Sequence, residues 1–161
     1  MQKKSNFLLI GYGNMGSSFV HPLQNIFNIT IVDRSKQPKF DCNYHSSISE
    51  LSGDFDYIVF AVKPFQLKNA LEDFKPEFLN KNTRIISLIA GAKSNVFHQS
   101  LGQNVKVSLA MSNLPVKVGK GVTAIYSDEK LEFLDYLGQT IYVGDENEIG
   151  KFFNFILDHY I

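Results

Sequence analysis

Short apolar runs alternate along this chain with longer segments of mixed polarity. Six runs have the length and the β-branched or aromatic content of strands, and several are apolar throughout instead of alternating. Continuously apolar runs are typical of strands that are covered on both faces. The predicted strands span residues 7–10, 29–32, 41–44, 57–62, 84–88 and 105–109.

Segments with helical character lie between these strands, at residues 14–27, 47–51, 66–74 and 94–101. Ser47 and Ser94 are expected to be N-caps, and Pro22 is expected to end or kink the first helix. Strands and helices that alternate with short connections favour right-handed crossovers. The pattern therefore predicts the α/β class, with a doubly wound, mostly parallel sheet. Residues 119–126 and 141–143 are predicted to add edge strands around a helix at 128–137.

The composition is that of an ordinary globular domain, with 44% hydrophobic and 20% charged residues in a chain of 161. The chain has 16 basic residues (Lys and Arg) and 16 acidic residues (Asp and Glu), so its net charge is zero. It therefore lacks the excess of positive charge that is typical of proteins that bind nucleic acid or anionic membranes. Neither nucleic acid nor a membrane is therefore expected as a partner. No apolar run is long enough for a secretory signal or a membrane span, so a cytoplasmic location is expected.

Metal chemistry is not expected from this sequence. The one cysteine, Cys42, excludes an intrachain disulfide and a cysteine cluster around a metal. The four histidines show no spacing typical of a metal site or a catalytic dyad. They are His21, His45, His98 and His159.

The first predicted strand runs directly into a glycine-rich turn, Gly11-Tyr12-Gly13-Asn14-Met15-Gly16, and a predicted helix follows. In such a turn Gly11 permits the tight bend, Gly13 lets the backbone approach a phosphate, and Gly16 lets the helix pack close to the strand. The start of the helix adds free N–H groups. A glycine pattern of this kind is a weak signal alone, but the strand before it and the helix after it favour a dinucleotide pyrophosphate site.

Asp33 ends the second predicted strand, where a carboxylate normally accepts hydrogen bonds from the ribose hydroxyls of NAD. The next three residues, Arg34, Ser35 and Lys36, are instead suited to the 2′-phosphate of NADP. The residues alone leave NAD and NADP equally open, beside the plainer alternative of a polar turn.

Three more segments follow predicted strands and are expected at the same sheet edge, because ligands of open parallel sheets bind beyond the carboxyl ends of the strands. They are Ala61-Val62-Lys63-Pro64, Ser87-Leu88-Ile89-Ala90-Gly91 and Met111-Ser112-Asn113-Leu114-Pro115. Asn113 offers an amide to a small polar substrate or to a carboxamide. An ordinary strand-to-loop turn explains each segment as well, and a lysine such as Lys63 is more often simply solvated.

These elements, together with Gly119-Lys120-Gly121-Val122-Thr123, resemble the pyrroline-5-carboxylate reductase family in order and spacing over nearly the whole chain. The resemblance implies a Rossmann domain and the reduction of 1-pyrroline-5-carboxylate, a cyclic imine acid, to proline with NADP(H) or NAD(H). It implies that residues 11–15 bind the pyrophosphate and that Arg34 and Ser35 reach the adenosine ribose or its phosphate. No catalytic acid or base is identified. The residues expected to flank the nicotinamide half are Ala61, Val62, Lys63, Pro64, Ala90, Gly91, Met111 and Asn113.

The chain departs from the family pattern in three places. Leu109 stands where the family usually has arginine, and the family's Met-Pro-Asn-Thr-Pro is changed at Ser112 and Leu114. The chain also stops at Ile161, about where the helical domain of the family begins. We therefore expect a dinucleotide-binding domain at residues 1–150 and, at 151–161, the start of a C-terminal helix whose dimerisation domain is missing.

The predicted C-terminal helix is apolar around most of its circumference, so it needs a packing partner. A second subunit, giving a homo-oligomer, and the chain's own sheet are equally open as that partner. Two alternatives to the reductase also stay open. One is a catalytically silent dinucleotide-binding domain, and the other is a reductase of the same superfamily for another substrate, such as a short β-hydroxy acid or a deazaflavin cofactor.

Overall fold

The computed structural model describes residues 2–160, and the side chains of residues 2–155. Its strands are β1 Asn6–Ile10, β2 Asn28–Val32, β3 Asn43–His45, β4 Phe55–Phe60, β5 Leu79–Ser87, β6 Lys106–Ser112, β7 Gly121–Tyr126 and β8 Gly138–Tyr142. They form one eight-stranded sheet in the order β3-β2-β1-β4-β5-β6-β7-β8. All neighbouring strands pair in parallel except β6 and β7, which are antiparallel. The predicted α/β class with a doubly wound, mostly parallel sheet is confirmed.

Helices cover both faces of this sheet and give it two apolar cores. The α-helices are α1 Asn14–Val20, α2 Leu67–Glu72, α3 Ser94–Leu101 and α4 Ile149–Tyr160. On one face, the core includes residues of α1 and of the 3-10 helices Leu114–Val118 and Glu132–Leu137. On the other face, the core includes residues of α2, α3 and α4. No helix of the described residues is long and apolar enough to cross a membrane.

An aromatic cluster on the α1 face is centred on Phe133, which is 7% exposed. Its ring lies 6.0 Å from Phe7, 5.5 Å from Phe27 and 5.1 Å from Tyr57 between centroids, and the rings meet edge to face. This geometry is favourable for aromatic quadrupoles. The 3-10 helix that carries Phe133 is thereby fixed against the central strands.

The predicted strand positions are correct in order and shifted in their bounds. β4 begins earlier than predicted because Phe55 is 5% exposed and pairs with Leu79, and it ends at Phe60, before the chain turns toward Pro64. The strand predicted at 41–44 is found at Asn43–His45. Only β8 of the two added strands lies at the sheet edge, since β7 is paired on both sides.

Two helix predictions need correction in type. The segments predicted at 47–51 and 128–137 form 3-10 helices at Ile48–Glu50 and Glu132–Leu137. The predicted cap of the first is confirmed, because Ser47 Oγ accepts a hydrogen bond of 3.2 Å from the Ser49 N–H.

The predicted N-cap at Ser94 is wrong. Lys93 occupies the N-cap position of α3, and Ser94 is the first helical residue. The Ser94 hydroxyl donates instead to the Glu146 carboxylate at 2.6 Å, and its backbone N–H points at the same oxygen at 3.3 Å. An acidic side chain from a distant loop therefore satisfies the start of α3.

Proline residues account for the ends of the other predicted helices. α1 stops at Val20 and gives way to the 3-10 helix His21–Leu23, which contains Pro22 as predicted. The helix predicted at 66–74 is shortened to α2 at both ends: the 3-10 helix Pro64–Gln66 includes residue 66, and α2 ends at Glu72, ahead of the 3-10 helix Pro76–Phe78.

α4 confirms a C-terminal helix, which begins two residues earlier than predicted; Ile161 lies outside the described residues. Its first turn folds back onto the chain's own sheet, since Ile149 is 8% exposed and Phe152 packs against the same core. Phe153 and Phe155 are each 43% exposed. Association of copies through this helix stays a prediction.

Candidate functional site

The glycine-rich turn links β1 to α1 and is held by the strands on either side. The Gly11 N–H donates to the Val32 carbonyl at 2.9 Å, and the Ala61 N–H donates to the Ile10 carbonyl at 2.8 Å. Gly11 has a φ of +101°, and a Cβ there would lie 2.6 Å from the Ala61 carbonyl oxygen. Only glycine fits this position, because both the backbone conformation and the space exclude a side chain.

The other two glycines of the turn differ in their surroundings. A Cβ on Gly16 would overlap the carbonyl oxygen of Gly11, so α1 packs against the turn only because this residue is glycine. Gly13, in contrast, is the N-cap of α1, and a Cβ there would meet nothing within 4 Å. The structure therefore requires glycine at 11 and 16 for packing. It leaves open space at Gly13, where the sequence predicts a phosphate.

Asp33 follows β2 and binds the backbone of two loops. Its Oδ2 accepts a hydrogen bond of 2.7 Å from the Tyr12 N–H, and its Oδ1 accepts from the N–H groups of Ser35 at 2.9 Å and Lys36 at 2.8 Å. Burial alone would raise the pKa of the Asp33 carboxyl, but these backbone hydrogen bonds outweigh it and hold the pKa below its ordinary value. Asp33 is thus ionised, and hydrogen bonds from the backbone stabilise its negative charge.

The basic residues beside Asp33 are open to solvent. Arg34, Ser35 and Lys36 are all exposed. The loop is further fixed by Tyr44, whose hydroxyl donates to the Asp33 carbonyl at 2.7 Å. Two cationic side chains therefore lie on a fixed turn next to the glycine loop.

The segment Ala61-Val62-Lys63-Pro64 leaves the sheet after β4. Ala61 and Val62 are half-buried, whereas Lys63 and Pro64 are exposed. The Lys63 N–H donates to the Gln66 side chain at 3.0 Å, which fixes the start of the next turn. Phe65, directly after this segment, is 81% exposed. The sequence analysis did not name it, although its place next to Pro64 put it at the same edge of the sheet.

The segment after β5 turns sharply at the same edge of the sheet. Ser87 is 1% exposed, and its hydroxyl accepts a hydrogen bond of 3.2 Å from the Ile89 N–H. Ala90 and Gly91 are exposed, and Gly91 has a φ of +79°. The backbone at these two residues is therefore open to a ligand.

The segment after β6 is more buried than its sequence suggests. β6 continues to Ser112, so Met111 is a strand residue with 8% exposure and packs within a core. Asn113 is 7% exposed, and its Oδ1 accepts a hydrogen bond of 2.8 Å from the Val122 N–H. Its Nδ2 is buried and has no hydrogen-bond partner among the described residues. A buried amide nitrogen in this state calls for an acceptor from elsewhere.

A second polar pair, which the sequence analysis did not single out, lies next to Asn113. The hydroxyls of Ser112 on β6 and Thr123 on β7 are 2.8 Å apart. Their pairing depends on the antiparallel register of these strands, which places Ser112 opposite Thr123. No local motif in the sequence reports that register.

Topology brings the four predicted segments to one edge of the sheet. β1, β4, β5 and β6 are consecutive neighbours and run in parallel, so the chain leaves all four strands on the same side. This edge is where open α/β sheets bind ligands.

A shallow surface cavity of about 580 Å³ does not involve this edge. Its lining includes the carboxylates of Asp128, Glu129 and Asp135, which would repel the phosphates of a dinucleotide. Arg84, 1% exposed, is already paired there: its Nη2 lies 2.7 Å from both Asp128 Oδ1 and Glu129 Oε1. No group of three or more potential metal ligands is found among the described residues.

Comparison with known proteins identifies the family. A family model described as ketopantoate reductase PanE/ApbA matches residues 7–124. Among curated relatives, the pyrroline-5-carboxylate reductase of Escherichia coli K12 is 30% identical over 136 residues, which cover 78% of this chain and 49% of that protein. The chain thus spans about half the length of the curated relatives it matches.

Solved structures agree with this result. The pyrroline-5-carboxylate reductase of Coxiella burnetii has a TM-score of 0.78 at 25% identity, covering 96% of this chain and 68% of that one. The Plasmodium falciparum pyrroline carboxylate reductase with NADP bound has a TM-score of 0.76 at 22% identity, covering 95% of this chain and 65% of that one. The chain therefore belongs to the family of the matching model, ketopantoate reductase PanE/ApbA, and its resemblance to the N-terminal Rossmann domain of pyrroline-5-carboxylate reductases is confirmed.

Proposed function

We propose that this chain binds NADP(H) and serves the reduction of 1-pyrroline-5-carboxylate to proline. The observation that carries the proposal is the convergence of four segments at one sheet edge, in the order found in the reductase family. Curated relatives named pyrroline-5-carboxylate reductase support 1-pyrroline-5-carboxylate as the substrate.

The residues present fit a nicotinamide dinucleotide. Gly13 has open space where a pyrophosphate would approach, and Asn113 has a buried Nδ2 without a partner among the described residues. Arg34 and Lys36 are exposed cations beside the turn. A phosphate-rich ligand with a carboxamide would occupy this space, neutralise these charges and satisfy this nitrogen.

Each part of the cofactor has residues to hold it. Residues 11–15 would bind the pyrophosphate, and Arg34 with Ser35 would bind the adenosine ribose and its 2′-phosphate. We favour NADP(H) over NAD(H), because a guanidinium and a hydroxyl match a phosphate and Asp33 is already engaged by backbone N–H groups. The nicotinamide half would lie against Ala61, Val62, Lys63, Pro64, Ala90, Gly91 and Asn113.

The nicotinamide supplies a hydride for the imine carbon when it is bound. The residues of this chain orient and shield that reaction. Asn113 would donate from Nδ2 to the carboxamide and fix the ring, because its own Oδ1 is held by Val122. Met111, which precedes this segment on β6, is buried in a core and would support the region from below rather than contact the ring. Positioning of this kind contributes much of the rate in reactions that need little side-chain chemistry.

The experiment is a paired measurement on the same protein. Binding of NADPH is measured by calorimetry, and turnover by the loss of NADPH absorbance after addition of 1-pyrroline-5-carboxylate. We expect both binding and turnover. A protein that binds neither NADPH nor NADH contradicts the proposal at its first step.

A second candidate function is a dinucleotide-binding domain without turnover. It is favoured by Leu109, which stands where the reductase family usually has arginine and is 2% exposed in the core. Binding of NADPH with no oxidation by the cyclic imine acid would select this alternative. Oxidation driven by another carbonyl or imine acceptor would instead place the chain among reductases of other substrates.

A further inference from the structure

The carboxylate of Asp33 connects two loops that both face the proposed cofactor. Oδ2 binds the Tyr12 N–H in the glycine-rich turn, and Oδ1 binds the N–H groups of Ser35 and Lys36 in the basic turn after β2. A longer contact of 3.4 Å with the Ser35 hydroxyl adds to the second set. One side chain therefore fixes the distance between the turn for the pyrophosphate and the turn that carries Arg34.

The usual role of a carboxylate at this position is to accept hydrogen bonds from the two adenosine ribose hydroxyls. In this chain both carboxylate oxygens already accept from the protein backbone. These three bonds occupy three of the roughly four lone-pair positions of the carboxylate, so about one is left for the two ribose hydroxyls. The same bonds compensate the negative charge of Asp33, which reduces its repulsion of a 2′-phosphate.

We propose that Asp33 is a positioning residue, which holds the glycine-rich turn against the basic turn and does not select the cofactor. Selection between NADPH and NADH then belongs to the exposed side chains of Arg34, Ser35 and Lys36. This proposal rests on the dinucleotide site of the proposed function.

The first test compares NADPH and NADH binding to the wild type and to Asp33→Asn. Asparagine keeps the shape but has one acceptor oxygen, so one of the two turns loses its acceptor. Loss of a charge-assisted bond predicts that both affinities fall by a similar factor, about tenfold or more. The ratio of the two affinities stays near that of the wild type. Asp41→Asn is the matched control, because Asp41 is an exposed aspartate in the next loop and both affinities should be unchanged.

Arg34→Ala supplies the opposite signature. It removes a side chain that has no part in the backbone contacts of Asp33, so it should weaken NADPH binding and leave NADH binding near the wild-type value. The proposal is overturned if Asp33→Asn lowers the affinity for NADH alone, or if it raises the affinity for NADPH. Either result would mean that Asp33 contacts the adenosine ribose and selects the cofactor.

The second test needs neither a variant nor a cofactor. In the free wild-type protein, the Tyr12 amide proton should shift in the NMR spectrum as Asp33 is protonated, with a midpoint below the ordinary pKa of aspartate. A Tyr12 amide that does not respond overturns the contact, even if Asp33→Asn fails to fold. Lack of dinucleotide binding by the wild type refutes the proposed function instead, and the amide titration distinguishes the two failures.

Discussion

Two glycine-to-alanine substitutions in the same turn should have different effects. Gly13→Ala should weaken cofactor binding without destabilising the fold, and Gly16→Ala should destabilise the fold. Gly13 has a φ of −79°, which alanine adopts freely, and its missing Cβ faces open space. Gly16 has a missing Cβ that would overlap the Gly11 carbonyl oxygen and lie 3.2 Å from the Ala61 Cβ. The first change adds a methyl group to the proposed ligand space, and the second adds one to a packed interior.

The expected magnitudes follow from these surroundings. For Gly13→Ala, the lower conformational entropy of the unfolded chain raises the free energy of unfolding by about 0.4–1 kcal/mol. Alanine at an N-cap lowers it by a comparable amount, so stability stays near that of the wild type. For Gly16→Ala, overpacking against backbone costs about 1–3 kcal/mol, and the better helix propensity of alanine returns about 1 kcal/mol. Because the added Cβ would meet a backbone oxygen, the overpacking cost lies at the upper end of its range, and the second variant should be less stable by about 2 kcal/mol.

Urea unfolding and NADPH titration by calorimetry measure the two effects separately. Gly13→Ala should unfold like the wild type and bind NADPH at least about tenfold more weakly, because about 1.4 kcal/mol of lost contact corresponds to that factor. Gly16→Ala should unfold at a lower urea concentration. The reasoning is refuted if Gly13→Ala binds NADPH as tightly as the wild type, or if Gly16→Ala is as stable.

Other contacts give predictions for stability. Phe133→Ala should cost about 3–5 kcal/mol, because its ring is the centre of an aromatic cluster, whereas Phe65→Ala, at an exposed position, should change the unfolding free energy by no more than about 0.5 kcal/mol; urea unfolding of both variants checks this. Glu129→Gln should destabilise by up to about 1 kcal/mol, because Glu129 is half-exposed and Asp128 still pairs with Arg84, and the same assay on Arg84→Met, which removes both ion pairs and the bond to Ser108, should show a larger loss. The Asp33 pKa is lower in the folded than in the unfolded protein, so its ionised form stabilises the fold above the unfolded pKa and this contribution disappears as pH falls through the folded pKa. Asp33→Asn should therefore flatten the acid side of the stability curve, measured by urea unfolding at a series of pH values; an unchanged slope would contradict this.

Hydrophobic patterning predicted the sheet because the buried strands carry a strong local signal. The helix predicted at 94–101 has the bounds that the structure shows for α3. The bounds of β4 were missed because they depend on a partner, Leu79, that is distant in sequence. Three segments formed 3-10 helices where the pattern predicted α-helix, at His21–Leu23, Ile48–Glu50 and Glu132–Leu137, since helical periodicity does not distinguish these two geometries over a few residues.

The site was predictable only in part, for a related reason. Glycine spacing indicates where the backbone bends, so the roles of Gly11 and Gly16 in packing could be predicted. The direction of a backbone N–H is not encoded in residue type, and the contacts of Asp33 with Tyr12 and Lys36 therefore had no sequence signal. The position of Asn113 Nδ2, which has no hydrogen-bond partner among the described residues, depends in the same way on the strand register around it.

The central position of β1 has a consequence for the order in which the chain can fold during synthesis. β1 pairs with β2 on one side and with β4 on the other. When a ribosome has released only the first two strands, the apolar edge of Phe7–Ile10 that later meets Tyr57–Phe60 is still open. Unpaired strand edges are the usual starting point of aggregation, so this chain is most exposed to misassembly between the release of β2 and that of β4.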